Sequence, residues 1–132
     1  MKIAYVDTSC LVAIGFGEPA AERISRRLAS FDRLLSSNLL EAELRATFAR
    51  EEVRQASATE LLRMMTWVLP NRPLTAEFER VLAVGMLKGT DLWHLACALF
   101  LDPRAEEMSF LSLDRAQARI AAKLGFRSKV PL

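Results

Sequence analysis

Two short apolar runs, Ile3-Ala4-Tyr5-Val6 near the start of the chain and Phe110-Leu111-Ser112-Leu113 near its end, each give way at once to an aspartate and then to a helix-forming stretch. Runs of this kind read as buried strands. Asp7 and Asp114 then stand at strand exits, and in an open parallel sheet such exits share one edge, where α/β folds hold their ligands. Two further acids, Glu43 and Asp91, stand at the inward margin of one helix and at the opening of another. Four acids gathered at one edge suggest a site for a divalent metal ion.

The segments between these runs read mainly as helices. A helix is expected from about Ser9 to Phe16, and a second, with Pro19 in its first turn, to about Ser30. Leu34-Leu35-Ser36 reads as a short strand, and Asn38 as the N-cap of a helix to about Arg50. The spacing of Leu61, Leu62, Met65 and Val68 predicts an amphipathic helix over 57–69, forming with its predecessor a hairpin that stands off the sheet. Pro70 to Leu74 reads as a turn with at most a very short strand. Thr75 is expected to cap a helix through about Leu87, and Lys88-Gly89-Thr90 to break it. An almost wholly apolar helix follows from Asp91 to Leu101, then the strand at 108–113, a helix to about Leu124, Gly125 as its stop and a short strand at 127–130. Strands alternating with helices imply a mostly parallel sheet between helical layers.

A chain of 132 residues, 52% hydrophobic and 26% charged, has the size and composition of one soluble domain over 1–132. Met1-Lys2 leads straight into the first strand without a signal-peptide apolar region, and stretches such as Leu92 to Leu101 are too short to span a bilayer, so a cytoplasmic protein is expected. Cys10 and Cys97 lack metal-ligand spacing and read as buried free thiols. Apart from the four acids, 18 basic residues face 12 acidic ones, a balance that suits a phosphate-binding partner.

Each acid has an ordinary alternative role. Asp7, followed by Thr8 and Ser9, and Asp114, with Ser112 two residues before it, could be helix caps, as could Asp91. Glu41 stands at capping-box spacing from Asn38 and four residues before Arg45, so it has local work on an exposed face. Glu43 has Leu39, Leu40, Ala46 and Thr47 as helical neighbours and no basic partner at that spacing, which would be costly unless a cation approached it. His94, the one histidine, is read as a packed residue with a satisfied ring nitrogen.

Val6-Asp7-Thr8-Ser9, the segment from Ser36 to Arg45, Thr90-Asp91-Leu92-Trp93-His94-Leu95-Ala96 and Leu111-Ser112-Leu113-Asp114 resemble, in order and spacing, the acidic motifs of PIN domains, most closely the VapC-like ribonuclease toxins of toxin–antitoxin pairs. The resemblance extends to the trailing Ala121-Ala122-Lys123-Leu124-Gly125-Phe126. It implies a three-layer α/β/α sandwich with a mostly parallel sheet of four to five short strands. It further implies cleavage of single-stranded RNA with Mg²⁺ or Mn²⁺, an antitoxin partner and a homodimer. Carried over by position, the metal-binding acids fall on Asp7, Glu43, Asp91 and Asp114, and the supporting hydroxyls on Thr8 or Ser9 and on Ser112. Asp7 and Asp91 are expected to bind directly, Glu43 and Asp114 through water or as orienters of the nucleophile. Some relatives carry a further acid where this chain has Arg115-Ala116-Gln117.

The main alternative is a non-catalytic RNA- or protein-binding domain whose acids are caps. A phosphotransfer domain fits less well, because Asp7-Thr8-Ser9 lacks a second acid two residues on and no paired acids mark the first strand. Apolar residues over 62–69, namely Leu62, Met64, Met65, Trp67 and Leu69, exceed what one helix face buries and point to a covering partner.

Overall fold

The computed structural model describes residues 1–128. Strands β1 (Ile3–Val6), β2 (Arg33–Ser37), β3 (Met65–Val68) and β4 (Met108–Leu111) form one sheet in the order β3-β2-β1-β4, with every pairing parallel. Helices α1 (Thr8–Gly15) and α2 (Ala21–Ala29) follow β1, α3 (Leu39–Arg50) and α4 (Gln55–Leu62) follow β2, α5 (Thr75–Leu82) and α6 (Gly89–Leu101) follow β3, and α7 (Arg115–Leu124) follows β4.

Side chains of β1 alternate between two cores, as the two-residue period of a strand requires. Ala4 and Val6 join Leu11, Ile24, Leu40, Leu44 and Phe48 of α1 to α3 on one face; Tyr5 joins Val81, Leu95, Leu99 and Ile120 of α5 to α7 on the other. The result is the α/β/α sandwich expected from the sequence.

The connectivity positions the site. From β1 the chain steps outward to β2 and β3, then crosses back to lay β4 on the far side of β1. Helix α1 therefore leaves β1 towards one core while α7 leaves β4 towards the other, and a crevice opens where those two strands end. Val6 pairs with Leu111, and the backbone amide of Asp7 donates to the Leu111 carbonyl at 2.9 Å.

Several local expectations are corrected. The single helix expected over 57–69 is α4 followed by β3, the edge strand. In so short an apolar stretch both periods fit, and the β-branched and aromatic residues of Met65-Thr66-Trp67-Val68 gain pairing with Leu34–Ser37 as a strand. The α3–α4 pair lies on the sheet rather than off it, with Ala58 and Leu62 in the first core. This packing accounts for most of the apolar excess: Met65 and Trp67 also rest on that core, leaving Met64 and Leu69 exposed at 43% and 67%.

Helix α5 stops at Leu82, and Gly85 then approaches Ile120 so closely that a Cβ there would lie 2.7 Å from its Cδ1. Thr75 is the first helical residue, without a capping side chain before it. Asn38 makes no side-chain cap, so the capping box with Glu41 does not form; Ser37 Oγ instead accepts from Leu39 N–H at 3.1 Å. Glu41 does pair with Arg45, at 2.7 Å. Gly125 ends α7 in the left-handed region, φ 116°. Of the strand expected over 127–130, Arg127 makes an isolated parallel bridge with Ser109, and residues 129 and 130 lie outside the described residues. Among the described residues no helix is long and apolar enough to cross a membrane, and Cys10 and Cys97 are buried free thiols.

Candidate active site

Asp7 and Asp114 both cap the helices they precede. Asp7 is buried, and its Oδ2 accepts from Ser9 N–H at 3.2 Å and from the Ser9 hydroxyl at 2.7 Å. Asp114 Oδ1 accepts from Gln117 N–H at 3.0 Å. A carboxylate has room for about four hydrogen bonds, and in each residue the cap engages one oxygen only. Capping and site membership are therefore compatible.

Ser112 and Gln117 join the two caps. The Ser112 hydroxyl donates mainly to Gln117 Oε1, at 2.7 Å, with a longer approach of 3.3 Å to Asp7 Oδ2, and it accepts from Asp114 N–H at 3.0 Å. Fully buried Gln117 reaches on to donate to the Asp91 carbonyl at 3.2 Å. The ends of β1 and β4 and the first turns of α6 and α7 are thus tied by one serine and one glutamine.

Glu43 is held from across the sheet edge. Its Oε1 accepts from the Thr8 hydroxyl at 2.7 Å and from His94 Nε2–H at 2.8 Å, a partner 51 residues away. The missing basic partner at helical spacing is supplied by His94, which is fully buried with both ring nitrogens engaged. Tyr5 OH accepts from Ser37 N–H at 3.0 Å and so has its own proton to give to His94 Nδ1, at 2.8 Å. Burial alone would push the Glu43 carboxyl up, but the hydrogen bonds from His94 and Thr8, aided by the field of Lys88, bring it below the usual range. Tyr5→Phe strands the Ser37 amide and one imidazole nitrogen inside the protein and is expected to cost about 1–3 kcal/mol in urea melts.

Asp91 differs from the other aspartates. Helix α6 begins two residues before it, and no side chain caps that helix, so Asp91 lies in the first turn and is not the cap. Burial first, then the carboxylates of Asp7 and Asp114, raise its carboxyl above the usual aspartate range, against the smaller opposing pull of Lys88. Asp7, Asp91 and Asp114 thus share one electrostatic neighbourhood at the crevice, with Glu43 anchored through Thr8 beside Asp7.

Among the described residues no three His, Cys, Asp or Glu side chains enclose a metal ion by themselves. The donors in the crevice are carboxylate oxygens, the ligands of small hard cations, and Mg²⁺ keeps several waters while taking only one or two carboxylates. The set fits an ion held on those terms and does not form a cage of protein ligands.

The PIN domain family model matches residues 4–123. The chain belongs to the PIN domain family. No curated protein matches it. PIN domains are typically nucleases, and those nucleases generally use Mg²⁺ or Mn²⁺, so the PIN assignment points to hydrolase chemistry on nucleic acid. The sequence reading did not assign Tyr5, His94, Lys88 or Gln117 to this PIN site. Two signals were available: Tyr5 is a hydroxyl inside a buried strand and needs a polar partner, and Asp114-Arg115-Ala116-Gln117 has capping-box spacing.

Proposed function

We propose that this PIN chain, as one domain over 1–132, is a divalent-metal-dependent endoribonuclease cutting single-stranded RNA, the VapC-like toxin of a toxin–antitoxin pair. The observation that carries the reading is the acidic crevice at the ends of β1 and β4, where half-buried Asp91 lies in the field of Asp7 and Asp114 and caps no helix. Such a cluster repels a phosphate backbone, and a divalent ion between them reconciles the acids with a polyanionic substrate. Mg²⁺ or Mn²⁺ bound there supplies a water of lowered pKa and polarises the phosphoryl oxygens.

In this reading Asp7 and Asp91 would hold the ion, with Asp114 and Glu43 placed to orient water beside it. Ser9 fixes Asp7 and Ser112 braces the crevice, while Thr8 and His94 fix one oxygen of Glu43 so that the other can face the attacking water. Recognition favours unpaired RNA, whose bases are open to contact. A cytoplasmic setting, a homodimer and a cognate antitoxin belong to the same proposal; exposed Met64 and Leu69 support a covered patch.

The capping by Asp7 and Asp114 favours a second reading, a non-catalytic PIN-like binding domain. One experiment separates them. Purified protein incubated with mixed single-stranded RNA should cut it in Mn²⁺ and stop in EDTA; full cleavage in chelator overturns the metal mechanism, and no cleavage in either favours the binding domain.

A further inference from the structure

An open recess of about 420 Å³ lies between Trp93 of α6 and the first turn of α3, lined by Asn38, Leu39, Ala42 and Trp93. We propose that it is a stacking subsite for one nucleobase of the RNA strand, adjoining the acidic crevice. The proposal rests on the ribonuclease reading and adds where the strand lies.

Trp93 follows Asp91 by two residues on α6, Ala42 precedes Glu43 on α3, and Asn38 follows the C-terminal end of β2, so the recess opens on the sheet edge that carries the acids. The indole is also pre-organised. Trp93 donates its indole N–H to Ser37 Oγ at 2.7 Å and packs at a 46° tilt on Phe78, 6.2 Å between centroids. The ring is fixed by contacts inside the protein while still lining an open recess.

Chemistry selects the occupant. No charged side chain lines the recess, so it does not suit a phosphate; an indole with Leu39 and Ala42 beside it offers the flat apolar surface on which an unstacked base rests. Asn38 stands exposed at the rim and makes no cap hydrogen bond despite its N-cap position, so its amide is available to a base edge. The volume falls within the range of small-ligand sites.

The test uses the Trp67→Phe/Glu43→Gln protein with Mn²⁺, in which Trp93 is the one tryptophan and cleavage is suppressed. Titration with mixed single-stranded RNA should quench Trp93 emission, and an abasic ribose-phosphate strand of equal length should not. In the same background Trp93→Leu should bind RNA roughly tenfold or more weakly, with Trp93→Phe between the two. Equal quenching by the abasic strand, or unchanged affinity in a folded Trp93→Leu protein, overturns the subsite. If Trp93→Leu does not fold, the quenching comparison decides alone. Wild-type cleavage measured in parallel keeps the readings apart: cleavage without base-dependent quenching removes the subsite and leaves the nuclease, while base-dependent quenching in a protein that cuts nothing does the reverse.

Discussion

Asp91→Asn is expected to lower RNA cleavage at least about a hundredfold, since a metal ion's stabilisation of the transition state is worth several kcal/mol. The same substitution should raise the melting temperature of the metal-free protein. The Asp91 carboxyl is raised by burial and by Asp7 and Asp114, so its charge is disfavoured in the folded state, and asparagine removes that charge at nearly constant shape. The sign of the pH dependence follows. A carboxyl raised on folding binds its proton more tightly in the native state, so metal-free wild type gains stability as pH falls through the raised value towards the ordinary aspartate range. Glu43 works in the opposite sense: its carboxyl is lowered on folding, and the stability it contributes is lost as pH falls below the ordinary glutamate range. Metal-free wild type should therefore gain stability on mild acidification before Glu43 begins to lose its contribution, and Asp91→Asn should lack that gain. Mn²⁺ at 100 times its dissociation constant should stabilise wild type by about 2.7 kcal/mol and the variant by much less. Thermal melts across pH, with and without Mn²⁺, check all of this. A variant that melts below wild type without metal, together with a wild-type midpoint that Mn²⁺ does not move, leaves the acids as independent residues.

Glu43→Gln should reduce cleavage by about a hundredfold or more, the usual contribution of a positioned acid or base. Its fold should survive, because the glutamine carbonyl can still accept from Thr8 and His94. Glu41→Gln, two positions earlier on α3, removes only the half-exposed pair with Arg45 and should cost about 0.3–0.5 kcal/mol with activity intact. The pair of variants isolates the face of α3 that matters. Similar cleavage rates in both would refute the assignment of Glu43.

The sequence made the strand exits legible because an apolar run ending in aspartate leaves few alternatives. Asp7 and Asp114 emerge at the adjacent strands β1 and β4, and the face argument that separated Glu43 from Glu41 agrees with the contacts each makes. Edge strand β3 was hidden because four apolar or β-branched residues satisfy either period, and only the partner strand decides between them. The support of Glu43 was hidden for a different reason. His94 touches Tyr5 89 residues away, a contact set by which face of α6 meets the sheet and invisible to local spacing. Gln117 lay within reach of spacing rules, but its side chain turns away from the reciprocal cap to hold Ser112 and the Asp91 carbonyl.

The pairing of β1 with β4 also sets when the site exists. The crevice needs the second strand of that pair, and Ser112, Asp114 and Gln117 arrive with or just after it, more than a hundred positions beyond Asp7 in the chain. Asp7, Glu43 and Asp91 all precede β4 in the chain, so three of the four acids depend on a later segment for the wall that gathers them. Contacts so distant in sequence form slowly. The complete arrangement of the acids is therefore among the last parts of the fold to be supplied by the chain.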